Sequence, residues 1–122
     1  MANYRIMVID DENVVGRMIK AVIEQDPEYT VETFLNATPA LSRLKEEKFD
    51  VVITDLKMKG LDGMDVLRHV KQDSPGTKVI MITAFASLDS AIEAMRGKVD
   101  DFFPKPVKIK ELKECIRRLL GN

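Results

Sequence analysis

Five short apolar runs, rich in β-branched residues, alternate with longer segments whose apolar positions recur every three or four residues. The runs occupy 5–9, 30–34, 51–54, 78–82 and, more weakly, 101–103. They are nearly continuous, the habit of parallel strands covered on both faces. Between them, Val15, Met18, Ile19, Val22 and Ile23 fall at helical spacing, as do Leu88, Ala91, Ile92 and Met95, and then Ile109, Leu112, Ile116 and Leu119. Each set predicts one buried helical stripe. Shorter helices are expected over 37–46, with Pro39 in the first turn, and over 64–71. Pro27, Gly60, Gly63, Pro75, Gly76 and Gly97 punctuate the connections.

The order is (βα)5, which separates an α/β fold from every other class. No linker, repeat or low-complexity tract interrupts it, so 1–122 reads as one domain. Right-handed crossovers then make a doubly wound parallel sheet whose sites lie outside the carboxyl ends of the strands.

Composition narrows the functional classes. Lys and Arg total 19 against 20 Asp and Glu, so no basic excess draws the chain to nucleic acid or an anionic membrane. No apolar run approaches a membrane span and the first residues lack a signal peptide, which makes the expected location cytoplasmic. Cys115 is the one cysteine and excludes an internal disulfide; it reads as a small core residue of the last helix. His69, the one histidine, reads as a surface residue of a short helix. The basic run Lys108, Lys110, Lys113, Arg117 and Arg118 reads as a solvated face, with a docking surface for an acidic partner as the alternative.

At the carboxyl edge the pattern becomes chemical. The first strand ends at Asp10 and Asp11, the third at Asp55, the fourth at Thr83, and Lys105 follows the fifth. If strands one and three are neighbours, about 4.8 Å apart, their carboxylates crowd one small space. Two such charges at about 4 Å repel by about 4 kcal/mol at an effective dielectric near 20. Lys105 offsets one charge, and the excess suits a hard divalent ion with oxygen ligands, Mg²⁺ first and Mn²⁺ as the alternative. The competing reading is that Asp11 or Asn13 simply caps the helix beginning near residue 14. Asp62-Gly63 reads as a turn into the third helix.

Four segments, "VIDDEN" at 8–13, "DVVITDLKMKGLDG" at 50–63, "VIMITAFA" at 79–86 and "DDFFPKP" at 100–106, resemble the receiver domain of two-component response regulators over the full length. The resemblance implies a flavodoxin-like sheet in the order 2-1-3-4-5. It implies Asp55 as the phosphoryl acceptor from the phospho-imidazole of a histidine kinase or phosphotransfer protein. By the same resemblance Asp11 and Asp55 hold the metal by side chain, Lys57 by its backbone carbonyl, and Asp10 partly through water. Lys105 pairs with a phosphoryl oxygen, the Thr83 hydroxyl bonds another, and small Ala84 leaves access. Phosphorylation then draws Thr83 inward, lets Phe102 turn in, and reshapes the face of helix four, strand five and helix five toward an output domain or target protein. Phe103 is read as strand core. Lys105-Pro106 is expected to be cis.

Lys57 and Phe85 project over the mouth by the same resemblance, where bulky Phe85 is expected to hinder attacking water and lengthen the phosphorylated lifetime. The chain departs from the family pattern at Lys59, often proline, at Lys98-Val99, commonly Gly-Ala, and at Phe102, more commonly tyrosine. The stretch "TAFASLDSAIEAM" is similar to receivers attached to AAA+ transcription activators. No direct nucleic-acid or membrane binding is expected, and phosphorylation-dependent homodimerisation is allowed.

Such a domain is not an enzyme toward a separate substrate; it catalyses only its own phosphotransfer and dephosphorylation. One rival is a haloacid-dehalogenase-type phosphatase, which needs a second aspartate where Lys57 stands and a cap domain. The other is a receiver-like binding module that works without phosphorylation. The sequence leaves open whether the chain is a stand-alone regulator or the front of a longer one.

Overall fold

The computed structural model describes residues 3–84 and 87–121. Five strands, β1 (Tyr4–Ile9), β2 (Tyr29–Phe34), β3 (Val51–Asp55), β4 (Lys78–Thr83) and β5 (Asp101–Pro104), alternate with α1 (Asn13–Ile23), α2 (Ala37–Glu46), α3 (Gly63–Asp73), α4 (Leu88–Arg96) and α5 (Ile109–Leu119). The sheet is parallel throughout, in the order β2-β1-β3-β4-β5. The flavodoxin-like arrangement is thus present, each strand differing from its sequence reading by one residue at one end.

Strand period two sorts the core into two layers. Met7, Ile9, Val52, Val79 and Met81 face α2, α3 and α4, where Ala40, Leu67, Val70 and Ala94 meet them. Ile6, Val8, Ile53, Ile80 and Ile82 face α1 and α5, where Ile19, Ile23, Leu112, Cys115 and Ile116 are buried. Phe102 packs against the first layer and Phe103 against the second, both only partly buried.

Two helical stripes depart from expectation. In α1, Ile19 and Ile23 are buried but Met18 is exposed. In α4 the departure is larger: Leu88 and Met95 are 78% and 70% exposed, Ile92 is exposed, and the small Ala94 is the buried contact. The helix turns its alanine inward, into the layer that holds Met64, Leu67 and Val70 of α3. Its bulky stripe is therefore left facing out.

Helix starts also differ in chemistry. Neither Asp11 nor Asn13 caps α1; the N-cap is Glu12, whose side chain makes no cap hydrogen bond. Asp62 does cap α3, accepting from Met64 N and Asp65 N in a capping box, so Asp62-Gly63 is the expected turn into a helix. Lys105-Pro106 is cis. His69 lies exposed on α3, and Cys115 is buried with its thiol donating to Asp101 Oδ2 at 3.1 Å. Burial first, then the Asp101 carboxylate, pushes that thiol up to about 12, which keeps it unreactive.

Candidate functional site

The register of β1 on β3 pairs Ile9 with Thr54, so the next step along both strands brings Asp10 level with Asp55. Asp10 N–H still donates to Phe34 O at 3.0 Å, which extends the strand's geometry one residue past β1. Asp10 follows Ile6 and Val8, and Asp55 follows Val51 and Ile53. Both carboxylates therefore leave the sheet on the α1/α5 side. Asp10 is 1% and Asp55 5% exposed, while Asp11 lies in the open turn. Carboxylate oxygens of the three lie within 4.8 Å of one another.

Lys105 reaches this corner from β5. Its N–H donates to Thr83 O at 2.8 Å, continuing the β4–β5 ladder beyond the Thr83–Pro104 pair. Its ammonium lies 3.1 Å from Asp55 Oδ2, 2.9 Å from Asp10 Oδ2 and 2.7 Å from Glu12 Oε1. The Asp10 approach is an ion pair without hydrogen-bond angles, so Asp10 Oδ2 is buried with no hydrogen bond of its own. Asp10 Oδ1 accepts from Glu12 N at 2.8 Å, and Asp55 Oδ1 accepts from Lys57 N at 3.3 Å. Burial works against the Lys105 ammonium, but the surrounding carboxylates of Glu12, Asp10 and Asp55 outweigh it and hold its pKa above the ordinary lysine value. Asp55 is pushed upward, chiefly by burial and then by the Asp10 charge, against the downward pull of Lys105.

Three carboxylates thus meet one ammonium, and a fourth, Asp11, lies beside Asp10 and Asp55. The donors are all oxygens, one buried oxygen lacks a hydrogen bond, and Asp11 borders water, a set that fits a hard divalent cation retaining part of its hydration. Asp10, Asp11 and Asp55 could hold it by side chain.

The remaining expected positions fall as follows. Thr83 is fully buried at the end of β4, and Ala84 is exposed beside it. Lys57 is exposed in the loop after β3. Phe102 pairs with Met81 across β4 and β5. Phe85 lies outside the described residues. Sequence reasoning missed Glu12, the shortest partner of Lys105; the signal was available as a third acid immediately after the pair, at the turn into α1. Ala84, Lys105, Pro106 and Val107 also line a groove of about 380 Å³ with Glu12, Val15 and Met18 of the α1 side.

Comparison with known proteins agrees with this geometry. The family model of the response regulator receiver domain matches residues 6–117. A protein-glutamate methylesterase/protein-glutamine glutaminase of group 2 operon from Rhodospirillum centenum is 33% identical over 89% of the chain and 28% of its own length. The response regulator protein PilR of Pseudomonas aeruginosa is 30% identical over 98% of the chain and 27% of its own length. The chain therefore spans about a quarter of the length of these relatives. The crystal structure of a CheY-like receiver domain protein from Methanospirillum hungatei superposes with a TM-score of 0.93 at 28% identity, covering 98% of this chain and 95% of that one. An acidic corner opposite a strand-five lysine, on a 2-1-3-4-5 sheet matched from end to end, leaves neither rival reading favoured: the chain belongs to the response regulator receiver domains of two-component systems.

Proposed function

We propose that Asp55 accepts a phosphoryl group from a phosphohistidine on a partner kinase or phosphotransfer protein, and that the resulting acyl phosphate switches the α4-β5-α5 face. The observation that carries this reading is the Asp55 carboxylate at the end of the central strand, held by Lys105 and converging with Asp10 and Asp11. In the step, an Asp55 oxygen bonds to phosphorus as the phosphorus–nitrogen bond breaks and its electron pair returns to the imidazole. Lys105 stabilises charge on a phosphoryl oxygen, the Thr83 hydroxyl donates to another, and Ala84 keeps the approach open. Asp10, Asp11, Asp55 and the Lys57 carbonyl are the groups that would hold Mg²⁺, or Mn²⁺. When bound it supplies charge neutralisation to an otherwise repelling corner.

The exposed apolar stripe Leu88, Ile92 and Met95 supports α4 as an output surface, and Phe102 lies on β5 between that face and the core. Exposed Met18, which lines the groove at Lys105, and exposed Val14 four residues before it on α1 support a phosphodonor helix docking against α1. Lys57 and Phe85 then govern the entry of water, and Phe85→Glu or Phe85→Ala shortens the phosphorylated lifetime. Among the described residues no helix is long and apolar enough to cross a membrane.

Incubation with acetyl phosphate and Mg²⁺ followed by intact-mass measurement tests the assignment. One added phosphoryl group, absent from Asp55→Asn, is expected; an unmodified wild type or a modified Asp55→Asn overturns it.

A further inference from the structure

We propose that Glu12 is a latch on Lys105: in the resting protein its carboxylate occupies the ammonium that a phosphoryl group on Asp55 must take over, so Glu12 opposes phosphorylation. This rests on Asp55 being the acceptor.

Glu12 stands at the N-cap of α1 yet makes no cap hydrogen bond, whereas Asp62 and Ser87 cap their own helices with their side chains. Its carboxylate instead spans 93 positions of sequence to Lys105, at 2.7 Å against 3.1 Å for Asp55. The Glu12 backbone is fixed by its N–H bond to Asp10 Oδ1, at 2.8 Å. Its side chain is 61% exposed, while those of Asp10 and Asp55 are 0% and 7% exposed. Of the three carboxylates on Lys105, Glu12 is the one that can swing into water without leaving a buried charge.

A phosphoryl group brings roughly two negative charges and three acceptor oxygens. Lys105 has three N–H bonds to give. Keeping Glu12 in place would set its carboxylate against the new charge and withhold one donor, so the phosphoryl displaces it. The exchange adds a cost to phosphorylation that Glu12→Gln, which keeps the shape and removes the charge, takes away.

The test uses acetyl phosphate with Mg²⁺. There an Asp55 oxygen bonds to phosphorus while the phosphorus–oxygen bond to the acetyl group breaks and its electron pair leaves on acetate. Glu12→Gln is expected to be phosphorylated about threefold to tenfold faster than wild type at low salt, with the gain reduced at high salt. In a Lys105→Ala background the same substitution is expected to give no gain. In metal-free protein, Glu12→Gln is expected to shift the ¹⁵N resonance of the Lys105 ammonium and speed its hydrogen exchange.

An equal gain without Lys105 would mean general repulsion and overturn the latch, as would an unchanged Lys105 resonance. Equal rates for wild type and Glu12→Gln, with wild type modified, would overturn the latch alone. An unmodified wild type would overturn the acceptor assignment and the latch with it.

Discussion

At the scale of single residues, Lys98 is placed against its own preference. Gly97 is the C-cap of α4, Lys98 N–H donates to Met95 O, and Val99 N–H donates to Ala94 O. This is the paired-bond ending in which the residue after the cap is left-handed, usually glycine. Lys98 takes that position at φ 65, among the described residues the one non-glycine with positive φ. The left-handed region costs an ordinary residue about 1–2 kcal/mol, against about 0.5–1 kcal/mol of extra chain entropy for glycine. Lys98→Gly is therefore expected to stabilise the protein by about 0.5 kcal/mol, read as a rise in urea midpoint at unchanged slope. A loss of stability would mean that the Lys98 side chain contributes more than its backbone costs. Sequence comparison with the family pattern marked this position as a departure; only the backbone angle gave the reason.

At the scale of elements, two joints hold the frame around the site. A Cβ on Gly63 would lie 2.4 Å from Asp55 O and 2.8 Å from Leu56 Cα, backbone atoms that cannot turn aside. Gly63→Ala is expected to cost about 2 kcal/mol and to slow the proposed phosphorylation of Asp55, because relief requires the strand end that carries Asp55 to move. Normal phosphorylation by the acetyl phosphate assay would refute that coupling. The second joint ties α1 to β2: Glu24 accepts from Val31 N at 2.8 Å and Lys20 Nζ at 3.2 Å. The Val31 bond is the main force lowering Glu24 below its usual value of 4.5. A lowered native value means stability that is present above pH 4.5 and lost as pH falls through the native value. Glu24→Gln should accordingly cost about 1 kcal/mol at pH 7, the gap to wild type closing on acidification. A gap constant with pH would show that packing, not the charge, is responsible.

For the whole molecule, a cation bound at the acidic corner would add to stability. Asp10 and Asp55 are buried beside one ammonium that they share with Glu12. A ligand binding only the folded state at a hundred times its dissociation constant adds about 2.7 kcal/mol. Saturating Mg²⁺ should raise the urea midpoint of wild type, reversibly with chelator, and should do so far less for Asp11→Asn. A midpoint indifferent to Mg²⁺ would contradict the assignment of this corner. The corner and the α1 groove lie on the α1/α5 side of the sheet, while exposed Leu88 and Met95 lie on α4, on the opposite side.

Sequence alone determined the alternation of strand and helix, because nearly continuous β-branched runs and helical spacing report burial locally. It also determined which polar residues stand at strand ends, and hence the candidates Asp10, Asp11, Asp55, Thr83 and Lys105. Only tertiary structure decided that the apolar stripe of α4 faces water, since spacing fixes a helix's stripe but not what lies opposite it. Only tertiary structure joined Glu12 to Lys105, because an ion pair across the whole chain depends on sheet order and register. Neither of those leaves a mark in the residues taken one segment at a time.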